Sequence, residues 1–92
     1  NGKAYLLIGT MYAATKGIYD DAVLNKTVFW VAVDKFNKAK QVDASVTEDA
    51  NKLIRTYSNY FPSKDDIFFQ PQLGTGKSFT VGGWIGETTQ CR

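Results

Sequence analysis

Apolar residues recur at helical spacing in the first part of the chain. Within residues 3–15, one face collects two aromatic residues and one aliphatic residue: Tyr5, Ile8 and Tyr12. This spacing predicts a helix of about three turns with one apolar stripe. Gly9 lies inside this helix, where glycine costs about 1 kcal/mol relative to alanine, so we expect Gly9 to mark a close approach between two helices.

A second helix is predicted after the loop that begins at Gly17. Asp20 or Asp21 caps its start, and it runs to about Lys40. Its apolar residues occupy more than one face: Leu24, Val28, Phe29, Trp30, Val31, Ala32, Val33 and Phe36. Because this helix is apolar over most of its circumference, we expect it to lie between neighbouring elements.

Two further helices are predicted before residue 70. Ser45 or Thr47 caps the third, whose apolar face is made by four residues: Ala50, Leu53, Ile54 and Tyr57. Pro62 prevents it from continuing. Ser63–Asp66 has the pattern of a capping box in front of a short fourth helix.

The composition changes after Pro71, and five of the eight glycines lie in residues 73–92. Two β-prone runs, residues 78–81 and 84–88, flank Gly82–Gly83 and predict a β-hairpin with a two-residue turn. An isolated hairpin is marginally stable in water. We therefore expect three apolar side chains of the hairpin to pack onto the helices: Phe79, Val81 and Trp84. The predicted organisation is a helical region, 1–70, with a hairpin tail, 71–92, packed on it.

Composition narrows the functional classes. The chain has 92 residues, which permits one domain with a thin core. The net charge of +2, without a basic stripe, argues against nucleic-acid binding. The absence of histidine removes the commonest general base and metal ligand, and the single cysteine, Cys91, permits no internal disulfide. We therefore expect no enzyme activity, no cofactor, no metal and no membrane span.

Two segments match a known repeat spacing. Tyr5, Ile8, Gly9 and Tyr12 follow the pattern aromatic-x2-aliphatic-Gly-x2-Tyr, and Ala32, Phe36 and Ala39 follow Ala-x3-Phe-x2-Ala. This spacing resembles the tetratricopeptide repeat (TPR). The separation of the two segments is longer than in an ordinary repeat, and Ala44 stands where the repeat usually has proline. The third helix begins a second, weaker unit in the same register. The resemblance implies a mainly α fold, a TPR-like α-α superhelix of about two antiparallel helical hairpins, with the C-terminal β-hairpin added.

Residues 3–92 together resemble the C-terminal part of uncharacterised bacterial TPR proteins. This resemblance implies protein–protein interaction and a location at the cell envelope or in the periplasm. It also implies that the first helix of each repeat lines a groove that binds a peptide. The groove residues would be Lys3, Leu6, Thr10 and Ala13 from the first unit, and Glu48, Asn51, Arg55, Ser58 and Asn59 from the second. Asn51, Arg55 and Asn59 lie on one helix face, which suits hydrogen bonding to a peptide, although a solvated polar face has the same pattern.

Three other groups of residues have structural explanations. The string that ends in Gly74-Thr-Gly-Lys-Ser78 lacks the first glycine of a phosphate-binding loop, since Pro71 holds that position, and we interpret it as a turn. Acidic pairs lie at predicted helix starts: Asp20–Asp21, Glu48–Asp49 and Asp65–Asp66. The aromatic cluster either packs under the tail or forms a peptide-binding surface: Tyr57, Tyr60, Phe61, Phe68 and Phe69.

Two functions are consistent with these features. The first is a non-catalytic protein–protein interaction module, and the second is a structural C-terminal cap of a helical solenoid that has no ligand of its own. About three repeats are normally needed for an independent array, so we expect the chain to be a fragment of a longer TPR protein. We also expect an apolar exposed face on helix 3–15, which either an earlier repeat or self-association with a second copy would cover.

Overall fold

Helices make up most of the computed structural model, which describes all of residues 1–92. Their bounds are α1 Gly2–Ala13, α2 Ala22–Asn25, α3 Val28–Val42, α4 Thr47–Ser58 and α5 Lys64–Phe68, with single 3-10 turns at Ala44–Val46 and Pro71–Leu73. Two short strands follow, β1 Ser78–Thr80 and β2 Thr88–Gln90. The predicted mainly α fold with a small C-terminal antiparallel pair is confirmed.

The main helical contact joins α1 to α3, and Gly9 makes it possible. A Cβ atom placed on Gly9 would lie 2.6 Å from Cε1 of Phe36 and 2.9 Å from the carbonyl oxygen of Ala32. Both distances are shorter than non-bonded carbon contacts allow. Only glycine therefore permits this spacing, and the predicted close approach at Gly9 is confirmed.

The α3 helix lies at the centre of the core. It packs against α1, α4 and the second strand of the tail. Residues from several of its faces are buried: Val28, Trp30, Val31, Ala32, Val33, Phe36 and Ala39. The prediction that this helix lies between neighbours is confirmed.

The predicted second helix is interrupted just before α3. Asp21 caps α2 by accepting hydrogen bonds from the backbone N–H groups of Val23 and Leu24, at 2.8 and 2.9 Å. The buried hydroxyl of Thr27 then donates to the carbonyl oxygen of Leu24 at 2.6 Å. A hydroxyl bonded to a backbone carbonyl competes with the helical ladder, which accounts for the break between α2 and α3. The prediction of one uninterrupted helix to about Lys40 was wrong.

The starts of α4 and α5 show how local side-chain chemistry sets helix ends. Val46 holds the N-cap position of α4 and makes no side-chain cap bond, so neither Ser45 nor Thr47 is the cap that the sequence predicted. The carboxylate of Asp43 instead caps the 3-10 turn before α4, where it accepts a hydrogen bond from the backbone of Ser45 at 3.0 Å. At α5, Ser63 and Asp66 each accept a hydrogen bond from the other's backbone N–H, at 3.1 and 2.9 Å. The predicted capping box is confirmed.

The tail hairpin has a longer connection than predicted. Phe79 of β1 lies opposite Thr89 of β2, and residues 81–87 connect the strands. The prediction of a two-residue turn at Gly82–Gly83 was therefore wrong. Val81 and Ile85 are both buried in the main core, and a tight turn could not direct both side chains inward. Of the three side chains expected to pack on the helices, Val81 is buried, Phe79 is half-buried and Trp84 remains largely exposed.

Candidate functional site

The predicted peptide groove is only partly open to solvent. Its two helices, α1 and α4, each pack on α3 and make no comparable direct contact with each other. Five of the nine predicted residues are exposed: Lys3, Thr10, Glu48, Arg55 and Asn59. Three are half-buried: Leu6, Asn51 and Ser58. Ala13 is 8% exposed and belongs to the main core. It lies beside Tyr12 on the side of α1 that faces the core.

Several polar groups of this predicted groove already have partners within the chain. The amide oxygen of Asn51 accepts a hydrogen bond from Nζ of Lys40 at 2.8 Å. The amide nitrogen of Asn59 donates to the carbonyl oxygen of Arg55 at 3.2 Å, and the hydroxyl of Thr10 donates to its own helix. A peptide would have to displace these bonds before it could use the same groups.

The solvent-facing side of α1 carries a different surface, which is apolar. Leu7 is 62% exposed and Met11 is 49% exposed, and Ala4 and Ala14 are exposed on the same side. These four residues, which we name the α1 strip, are spaced i, i+3, i+7 and i+10, as in the contact seam of a coiled coil. The expectation of an apolar exposed face on this helix is confirmed.

Trp84 borders the α1 strip. Its side chain is 59% exposed, its indole Nε1 donates to Oγ1 of Thr15 at 3.1 Å, and its ring meets the Tyr12 ring edge-on with 5.1 Å between centroids. Thr15 lies one helical turn beyond Met11, so the indole extends the apolar surface at that end of the strip. The sequence pattern did not predict this placement, because Trp84 and Thr15 are distant in the chain.

A partly buried hydrogen bond and an ion pair, both to Glu87, fix the loop that carries Trp84. The carboxylate of Glu87 accepts a hydrogen bond from the Tyr12 hydroxyl and forms an ion pair with Lys35 at 2.8 Å. Burial, together with the neighbouring Glu87, raises the pKa of Tyr12 to about 12. Burial alone would raise the pKa of Glu87 as well, but the hydrogen bonds from Lys35 and Tyr12 outweigh it and hold that pKa below its ordinary value. The loop is thereby tied to both α1 and α3.

We expect this network to make the folded state sensitive to acid. Because the pKa of Glu87 is lower in the folded than in the unfolded chain, its contribution to stability is present above the ordinary value of 4.5 and is lost as the pH falls below it. The Glu87→Gln substitution should therefore lower the free energy of unfolding at neutral pH and weaken its dependence on pH below about 4.5. Urea denaturation, repeated at pH values about one unit apart between pH 3 and pH 7, measures both effects.

The matched control for the loss of stability at low pH is Asp20→Asn, because Asp20 is exposed and makes no hydrogen bond or ion pair. In Glu87→Gln, part of the dependence of the free energy of unfolding on pH should remain, because other carboxylates contribute to it. Hydrogen bonds from Ser45 and Lys26 also lower the pKa values of Asp43 and Asp66. Identical pH profiles for Glu87→Gln and Asp20→Asn would contradict the role of the network.

A second network ties the end of the chain to α3. Asp34 accepts hydrogen bonds from the Thr89 hydroxyl and from the Arg92 guanidinium, both at 2.5 Å. Arg92 also donates to the carbonyl oxygen of Trp30 at 3.2 Å. Cys91 is buried next to this network, and burial raises the pKa of its thiol. The tail is thus fixed along α3 at two separate points.

One open cavity, of about 310 Å³, lies where the end of α1 meets α2 and the start of α3. Its apolar lining includes Val28, and Lys16 and Lys26 lie among its polar residues. Lys26 forms an ion pair with Asp66 at 2.8 Å, and the side-chain amide of Asn25 is bonded at both atoms to the backbone of Tyr19. Most of the polar lining is therefore engaged within the chain, which leaves little to recognise a small ligand.

The remaining candidates from the sequence have structural roles. The Gly74–Lys77 segment is a turn in which the N–H of Lys77 donates to the carbonyl oxygen of Gly74 at 3.0 Å, as expected. Each acidic pair lies at the start of a helix: α2, α4 or α5. No group of potential metal ligands occurs, and no helix is both long and apolar enough to cross a membrane.

The aromatic cluster divides between the two alternatives considered from the sequence. Tyr57 and Phe61 pack against the core, whereas Tyr60, Phe68 and Phe69 are exposed. Phe68 and Phe69 contact each other edge-on at the end of α5, with 5.1 Å between ring centroids. Phe68 and Phe69 are 76% and 78% exposed, and they form a second apolar surface at the end of α5, on a different element from the α1 strip.

Comparison of the chain with protein-family models, with curated proteins and with solved structures finds no match.

Proposed function

We propose that this chain is a non-catalytic protein–protein interaction module, and that the α1 strip is its contact surface. The observation that carries the proposal is the exposure of Leu7 and Met11 on one face of a helix whose other face packs against the core. Contiguous exposed apolar surface on a folded protein typically marks an interaction site. The bordering indole of Trp84 adds a residue type that is enriched at the energetic centre of interfaces.

We further propose that α1 and α3 form a TPR-like helical hairpin. The support is the contact of Gly9 with Ala32 and Phe36, the same residues that carry the repeat spacing in the sequence. In this arrangement α4 begins a second unit against α3. The α1 strip would then lie on the outer side of the first unit, where a repeat array stacks its next element.

The alternative function is a structural cap with no ligand of its own. The tail favours it, because Val81, Ile85 and Cys91 are buried and the two networks at Glu87 and Asp34 fix the tail along α3. Terminal units of repeat arrays seal the stacked core in this way. In the cap, the α1 strip would be covered by a helix of the same polypeptide instead of by another protein.

Site-specific photo-crosslinking distinguishes these functions. A photoreactive phenylalanine derivative is placed at Leu7 in the strip, or at Lys38 on the exposed side of α3 as the control, in the natural protein inside its own cells. The interaction module predicts an adduct with a second, identifiable protein from position 7 but not from position 38. The Met11→Glu substitution should abolish that adduct. A position 7 that reacts only within its own polypeptide, or that reacts with nothing, would contradict the interaction module.

A further inference from the structure

The spacing of the α1 strip selects the shape of its partner. Residues at i, i+3, i+7 and i+10 form a narrow, straight apolar row along a helix, and such a row packs best against a second helix that lies alongside it. An extended peptide would instead need an open strand edge to pair with. The expected occupant is therefore an amphipathic helix with its own apolar row.

The charge around the strip selects the chemistry of that helix. α1 contains no acidic residue, Lys3 lies in its first turn, and Lys16 follows its end. Two carboxylates that accept hydrogen bonds from α1 are already engaged. Glu87 pairs with Lys35, and Asp43 accepts a hydrogen bond from the buried Gly2, on the core side of the helix. The only charged side chains in residues 2–16 are thus two lysines, Lys3 and Lys16, which complements an acidic partner.

The same charges disfavour a second copy of this chain as the occupant. Packing two α1 strips antiparallel would place Lys3 of one copy near Lys16 of the other, twice in the dimer. Packing them parallel would place identical lysines side by side. Juxtaposed like charges oppose association. An acidic helix would instead place carboxylates near these lysines, so neither arrangement would bring like charges together.

We infer that the α1 strip binds an acidic amphipathic helix of a partner protein, with Trp84 as a pre-positioned aromatic anchor at one end. This inference rests on the proposed interaction function and adds the class of partner to it. The indole is held in place by its bond to Thr15 and its contact with Tyr12, so little side-chain freedom is lost when a partner covers it.

Two designed peptides, added to the chain without substitutions, test the inference. Each is about 15 residues long, because shorter helices are marginal in water, and each carries the same row of leucines. One has glutamates beside the row and the other has lysines there. We expect the glutamate peptide to bind about tenfold more tightly than the lysine peptide at low salt, and this preference to shrink as salt is added. Binding is measured from the NMR indole signal of Trp84, since the other indole, of Trp30, is fully buried.

Two matched charge substitutions locate the contact. Leu7→Glu should abolish binding of the glutamate peptide, whereas Arg55→Glu, on the exposed side of α4, should leave it unchanged. Both positions are exposed, so circular dichroism should show both variants folded. Loss of binding in Arg55→Glu with no loss in Leu7→Glu would place the site in the predicted groove and overturn the inference.

Three further outcomes would overturn it. Equal affinity for the two peptides would exclude charge as the selector, and a dimer in sedimentation equilibrium that Leu7→Glu dissolves would make a second copy the occupant. Failure of the glutamate peptide to bind at all would also overturn the inference. In that last case, a partner adduct from position 7 in the crosslinking experiment would leave the interaction function standing, so the two failures are distinguishable.

Discussion

The Gly9→Val substitution is expected to lower the free energy of unfolding by about 2 kcal/mol, the typical cost of forcing extra carbon atoms into a packed site. The added Cβ would lie 2.6 Å from the ring of Phe36 and 2.9 Å from the carbonyl oxygen of Ala32. The ring of Phe36 is fully buried and the carbonyl belongs to the α3 backbone, so neither can move aside without opening the contact between α1 and α3.

Helix propensity opposes this effect but does not cancel it. Glycine inside a helix is less favourable than valine by a few tenths of a kcal/mol, so propensity alone predicts slight stabilisation. Ala4→Val is the matched control, since Ala4 is exposed on the same helix. Urea denaturation of both variants measures the difference. If Gly9→Val is as stable as Ala4→Val, α1 and α3 do not approach as closely as described, and the proposed TPR-like hairpin loses its main support.

Features set by short-range chemistry could be predicted from the sequence. Asp21 and the Ser63–Asp66 capping box hold backbone N–H groups within their own turn, so the residue types alone locate the starts of α2 and α5. Gly9 could be interpreted for a similar reason, because glycine inside an amphipathic helix has few explanations other than a close contact.

Features set by contacts distant in sequence could not be predicted. Gly82–Gly83 is a strong local signal for a tight turn, but the structure connects the strands through residues 81–87. The wider loop allows Val81 and Ile85 to enter the core and Glu87 to meet Lys35 of α3. The sequence of the tail alone does not indicate where α3 lies. The local turn signal therefore predicted a connection that is too short.

The candidate site divides in the same way. The apolar face of α1 was expected, because the first unit of a shortened repeat array would leave uncovered the face on which an earlier repeat stacks. The position of Trp84 beside that face depends on how the tail folds back onto the helices, and it cannot be predicted from the spacing of residues along the chain. The groove residues were transferred from a resemblance, and burial separates them, because Ala13 packs in the core while Lys3 and Arg55 are exposed.

Leu73→Ala is expected to be the most damaging conservative truncation outside the main core. Leu73 is fully buried with Trp30 and Cys91 in a second, smaller apolar cluster under the tail. Removing its side chain deletes buried carbon atoms and leaves a cavity, at a cost of about 2–5 kcal/mol in the free energy of unfolding. In a chain whose core is thin, such a loss is a large part of the total stability, which is about 5–15 kcal/mol for ordinary domains.

The same change at Leu7 should have almost no effect on folding, because that side chain is 62% exposed. Exposed substitutions away from special contacts usually change stability by about 0.5 kcal/mol or less. Urea denaturation of Leu73→Ala and Leu7→Ala therefore compares identical chemistry at a buried and an exposed position. A loss in Leu7→Ala as large as that expected in Leu73→Ala would show that Leu7 supports the fold and is not free for a partner. A loss at Leu73 as small as that expected at Leu7 would show instead that the tail cluster unfolds separately from the helices.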